Sequence, residues 1–125
     1  MTNRECTIKV IAMPADTNSD GNIFGGWILS QMDLAGVVTA RKISKHKVVT
    51  VAIDNIQFLK PVFVGDLVEC FTSIEKIGKT SITIDIEVIV ERKEDGHKEH
   101  VTKGKFVYVA MDDNMKPVVF SKIGM

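Results

Sequence analysis

The chain has 125 residues, of which 45% are apolar, and its sixteen basic and sixteen acidic side chains cancel. That length suits one domain around one sizeable core, and the balanced charge argues against a nucleic-acid partner held through bulk charge. No apolar run is long enough to span a bilayer, and the start "MTNRECTIKV" lacks the apolar centre of a signal peptide.

Cys6 and Cys70 show no metal-binding or redox spacing, so they read as two reduced thiols in a cytoplasmic protein. No linker, repeat or low-complexity segment divides residues 1–125, which are expected to form a single domain.

In chain order the periodicity predicts β-α-β-β-β-β, an α+β chain. "CTIKVIAM" is the first strand. The polar, turn-rich stretch "PADTNSDGNIF" leads into a helix over residues 25–44. At 1.5 Å per residue such a helix is about 30 Å long and crosses a small domain. "KVVTVAIDNIQFL" is the second strand, interrupted near its end by Pro61. "LVECFTSIEKI" follows the turn "FVGD", and "IGKTS" reads as a hairpin turn. In "SITIDIEVIVE", Ile82, Ile84, Ile86, Val88 and Val90 face one way. Thr83, Asp85, Glu87 and Glu91 face the other, so the sheet has one dry and one wetter face. "KEDGHKEH" is a charged turn and "VTKGKFVYVAMD" the last strand. Neither a lone helix nor a long antiparallel sheet hides its apolar side alone, so the sheet is expected to wrap around the helix.

Two features of the helix need a reason. It begins on Gly25-Gly26, although glycine is a poor helix former. The pair suits either a tight turn or a substrate lying close against the unpaired N–H groups of a helix start. Asp33 then sits among Leu29, Met32, Leu34 and Ala35. A carboxylate there costs free energy unless it is hydrogen-bonded, solvated or working.

The pattern "DTNSDGNIFGG" with "QMD", then "VTVAIDNIQFLKPVFVGD" and "GKTSITIDIEV", resembles the hotdog-fold acyl-CoA thioesterases, above all their bacterial YciA-type branch. The resemblance runs from about Thr7 to Asp112. It implies a long central helix wrapped by an antiparallel sheet, with active sites between paired subunits. It also implies hydrolysis of acyl-CoA to a fatty acid and coenzyme A. Gly25 and Gly26 would form the oxyanion hole. Asp33 would be the general base, with direct carboxylate attack as the competing chemistry. Asn18 would hold the water or the carbonyl, and Thr50 would support the acid. Read alone, Asn18 and Asn22 are ordinary turn residues and Thr50 an ordinary strand residue.

Coenzyme A, part of substrate and product rather than a cofactor, needs cations for its phosphates. Lys60, Lys79, Arg92 and Lys93 are candidates, with Gly78, Lys79, Thr80 and Ser81 offering backbone and hydroxyl donors. Phe24, Trp27 and Phe58 line an acyl tunnel or belong to the core. The same resemblance implies dimers associating into a hexamer, a trimer of dimers.

Other chemistries find little support. There is no G-x-S-x-G elbow or Walker loop. His97 and His100 stand in a charged hairpin that suits solvation better than a metal. A histidine-dependent dehydratase is disfavoured, since His46, His97 and His100 all lie in charged, loop-like contexts. A hotdog module that binds acyl-CoA without cleaving it stays open as the alternative, as does a partner-binding domain with no small ligand.

Overall fold

The computed structural model describes residues 4–120. The element order is β1 (Glu5–Ile11), α1 (Gly25–Ser44), β2 (Lys47–Phe58), β3 (Leu67–Ile77), β4 (Ser81–Glu91) and β5 (Lys98–Met111), with a short 3-10 turn at Pro14–Asp16. All pairings are antiparallel. The strands form one sheet in the order β1-β3-β4-β5-β2, which leaves β1 and β2 as its edges. The helix lies on one face of this sheet. Its buried residues, Ile28, Met32, Ala35, Gly36, Thr39, Ala40 and Ser44, recur mostly three or four apart. They meet the inward row Ile82, Ile84, Ile86, Val88 and Val90 of β4 and Phe106, Tyr108 and Ala110 of β5.

Local chemistry explains the joints. Lys45 closes the helix in a left-handed conformation (φ 58°), its N–H bonded to the Arg41 carbonyl. In "FVGD", Asp66 accepts from the Phe63 N–H at 2.8 Å, and Gly65 takes the positive φ (93°) the turn requires. The Gly78 N–H donates to the Ser81 carbonyl at 2.7 Å and closes the β3–β4 hairpin.

The last strand starts earlier than expected. Arg92 N–H donates to the His97 carbonyl at 2.8 Å and ends the turn there. Lys98 already pairs with Glu91, so Lys98, Glu99 and His100 belong to β5.

Arg92 corrects another expectation, because it is not free to receive a phosphate. Its side chain is 8% exposed. It donates to Asp66 at 2.6 Å, to Glu99 at 2.8 Å and to the Pro61 carbonyl at 3.1 Å. Buried guanidinium needs such partners, and these tie the loop after β2 to the β4–β5 hairpin. Lys60 joins the cluster through Glu99 at 2.8 Å.

Lys60 first, then Arg92, holds the Glu99 carboxyl down at about 2, against 4.5 for a free glutamate. A depressed carboxyl stabilises the fold fully above its unfolded value and loses that contribution as pH falls through its folded one. Glu99→Gln is therefore expected to flatten the loss of stability between about pH 4.5 and 2, read as Tm against pH. An unchanged acid limb would contradict this role.

Candidate active site

The main candidate residues fall into two groups on this one chain. The first stands at the start of α1. Asn18 makes a turn: its Oδ1 accepts the N–H groups of Asp20 at 2.9 Å and Asn22 at 3.1 Å. Asn18 is exposed, and no hydrogen bond to its side-chain amide nitrogen is made among the described residues. Asn18 and Gly25 share a shallow groove of about 280 Å³ with Ile28, Phe58 and Lys60. Gly25 and Gly26 open the helix with Phe24 as its cap residue and no side-chain cap. Their N–H groups precede any acceptor within the helix.

Aromatic rings flank both glycines. A Cβ on Gly25 would lie 3.6 Å from the Phe58 ring, an ordinary contact, but one on Gly26 would lie 2.9 Å from the Phe24 ring. Phe24 and Phe58 are 56% and 53% exposed, so they are not core residues in this chain. Trp27 is half-buried and packs against the core.

The second group surrounds Asp33, two turns further along α1. The half-buried carboxylate is neither bare nor ion-paired among the described residues. Its Oδ1 accepts from Thr50 Oγ1 at 2.7 Å and from the Tyr108 hydroxyl at 3.1 Å. Thr50 on β2 and Tyr108 on β5 are register partners, so their side chains lie side by side on one face. A register shift follows immediately, between Thr50 and Ala52. Such bulges re-aim side chains next to the irregularity.

Tyr108 is fully buried. Burial, then the neighbouring negative charge of Asp33, pushes its phenol well above the usual range, so it stays a hydrogen-bond donor.

Sequence reasoning missed Tyr108. Two signals were available: it is the chain's single tyrosine, and it falls on an inward position of an alternating strand. A buried phenol needs a polar partner, and Asp33 was the carboxylate embedded in the apolar helix.

The remaining candidates are spread more widely. Ser81 pairs with Val109, one residue from Tyr108, so the "GKTS" hairpin borders the Asp33 end of the sheet. The Thr80 and Lys79 carbonyls accept from Ala110 at 3.3 Å and Phe120 at 2.6 Å. Lys79 and Lys93 are exposed, and the Lys93 stem lies against Gly65. Among the described residues no cluster of His, Cys, Asp and Glu could hold a metal ion. His97 pairs with Asp95, and His100 with Glu87. No helix among the described residues is long and apolar enough to cross a membrane.

One helix held in the curl of a five-stranded antiparallel sheet defines a hotdog fold, as the sequence resemblance implied. Residues 20–97 match the model of the thioesterase superfamily, and the chain belongs to that family. The acyl-CoA thioester hydrolase YciA of Salmonella typhimurium is 46% identical over 116 residues, covering 90% of this chain and 87% of that protein. A hexameric thioesterase of Yersinia pestis superposes with a TM-score of 0.89 at 49% identity, over 95% of this chain and 97% of that one. A hexameric hotdog fold thioesterase of Campylobacter jejuni gives 0.89 at 42% identity, over 94% and 91%.

Proposed function

We propose that the chain is an acyl-CoA thioester hydrolase whose active site is completed by a second copy of itself. The observation that carries this reading is the division of the site. Oxyanion donors stand at one point of α1 and the carboxylate at another. Gly26 and Asp33 are seven residues apart, a rise of about 10 Å. A donor and a base acting on one thioester carbon must both lie within about 3 Å of the reacting atoms. Two such helices related by a two-fold axis bring the Gly26 end of one beside Asp33 of the other.

The free edge of the sheet supports the pairing. β2 is an edge strand, and Val51 and Ile53 on it are 53% and 45% exposed. Leu34 and Val38 of α1 are 55% and 40% exposed. An exposed apolar edge strand invites a partner strand. The dimers then assemble further, into the hexamer described for the Yersinia and Campylobacter proteins.

In the reaction, Asp33 takes a proton from water as its oxygen bonds to the acyl carbon. The carbonyl oxygen becomes an oxyanion facing the Gly25 and Gly26 N–H groups, where each well-placed donor contributes about 3 kcal/mol. Asn18 orients the water or the carbonyl. Collapse breaks the C–S bond, and the proton passes to the departing thiolate, giving a free acid and coenzyme A. Attack by the Asp33 carboxylate itself, through an anhydride that water then opens, leads to the same products.

Lys79, in the "GKTS" hairpin before β4, and Lys93, in the turn at the opposite end of that strand, remain as alternative cations for the phosphates, and Phe24 and Phe58 meet the pantetheine or acyl chain. Lys60 contributes only in so far as it leaves Glu99.

The test is a hydrolysis panel from acetyl-CoA to palmitoyl-CoA with a free-thiol reagent. Turnover of at least one chain length is expected. Ligand-induced thermal stabilisation without turnover would instead make the chain an acyl-CoA sensor. Neither effect with any coenzyme A species would remove both readings.

A further inference from the structure

Asp33 is held through one oxygen. Thr50 and Tyr108 both donate to Oδ1, and no hydrogen bond reaches Oδ2 among the described residues. The Tyr108 hydroxyl also lies 3.1 Å from the backbone carbonyl of Asp33. It therefore spans the side chain and the main chain of the same residue. Its own ring cannot swing away easily, because it is fully buried and stacks on Phe106 with centroids 6.4 Å apart.

Gly36 makes this arrangement possible. It sits on α1 one turn beyond Asp33, where glycine is unfavourable for the helix. A Cβ at this position would lie 1.9 Å from the Tyr108 hydroxyl oxygen and 2.6 and 2.7 Å from two ring carbons. All three are closer than real Cβ atoms approach, so no other residue fits at position 36 while Tyr108 stays where it is.

We infer that Tyr108, admitted by Gly36, is a positioning residue for the reaction: with Thr50 it clamps Oδ1 and leaves Oδ2 of Asp33 as the working oxygen. The terminal torsion of an aspartate is broad and roughly two-fold. An unclamped carboxylate would divide its time among orientations. Two donors fixed on adjacent strands set its plane, and orientation of a reacting group is a large part of catalytic rate. The plainer alternative is that the buried phenol needs an acceptor and nothing more. The Asp33 backbone carbonyl would satisfy that need alone, and the hydroxyl would then matter to stability but not to rate.

This inference rests on the reading of Asp33 as base or nucleophile, so Asp33→Asn is measured beside it. An active Asp33→Asn enzyme would overturn that reading whatever Tyr108 does. With Asp33→Asn inactive, Tyr108→Phe keeps the ring and removes only the donor. Its kcat is expected to fall about tenfold or more with KM within about twofold, the split of a group acting on the reacting geometry rather than on binding. Wild-type kcat in Tyr108→Phe, with or without a lowered Tm, would overturn the inference.

Because Tyr108 is the single tyrosine, biosynthetic replacement by 3-fluorotyrosine alters this hydroxyl alone. It serves if Tyr108→Phe does not fold. The fluorinated phenol is a stronger donor that draws charge from the carboxylate, so kcat falls at unchanged KM; an unchanged kcat would also overturn the inference. Gly36→Ala gives a second check. A helical glycine with open space beside it gains stability on becoming alanine, whereas at position 36 both Tm and kcat are expected to drop. Retained kcat in folded Gly36→Ala would count against the clamp.

Discussion

Asp33→Ala is expected to lose at least about a hundredfold in kcat, the scale of removing a positioned general base, while its fold survives. The survival follows from what the carboxylate leaves behind. Thr50 is exposed, so its hydroxyl turns to water. Tyr108 keeps an acceptor in the Asp33 backbone carbonyl at 3.1 Å. No cation loses its partner, since none pairs with Asp33 among the described residues. The check is kcat with a free-thiol reagent beside a melting curve. Near-normal turnover in a folded Asp33→Ala protein would end the assignment, and collapse of the fold would mean that the carboxylate is structural.

Much of the frame was legible because several signals agreed. The helix runs over Gly25–Ser44, the bounds that the periodicity predicted. The even positions of β4 are buried from Ile82 to Val90, because strict alternation over so many residues admits one register. Strand order was another matter. β2 pairs with β5, far away in sequence, and periodicity says which face a strand buries but not which strand lies beside it. The same limit hid Tyr108. Its meaning comes from standing opposite Thr50 across a strand pair, and from the helix lying over both. Gly36 was hidden for the related reason that its use is a gap for another element's side chain. Arg92 misled in the opposite direction. A charged residue at a hairpin edge reads as solvated, yet the loop carrying Asp66 folds over it. Asn18 and Asp33 are candidates because resemblance supplied a role; residue chemistry alone left the first as a turn former and the second as a carboxylate in need of a partner.

If the site is divided between two chains as proposed, the second large effect is a gain of activity. Asn18→Ala and Asp33→Ala are each expected to be severely impaired alone. Mixed under conditions where subunits exchange, they should recover activity. The reason lies in how the damage distributes. If Asn18 and the Gly25–Gly26 amides of one chain act with Asp33 of the other, a mixed dimer holds one doubly damaged site and one intact site. Random pairing makes half of the dimers mixed, so the recovered activity approaches about a quarter of wild type. Asn18→Ala also releases the N–H groups of Asp20 and Asn22 from their acceptor. The turn it loosens belongs to the same half-site, so the intact site of the mixed dimer is spared that damage too. Two residues acting within one chain give a different outcome, because every site in the mixture would then carry one lesion. Mass spectrometry of the mixture establishes exchange, and the thiol assay reads the rate. Confirmed exchange with no return of activity would place both residues in a single-chain site, and the free edge of β2 would then have no part in completing it.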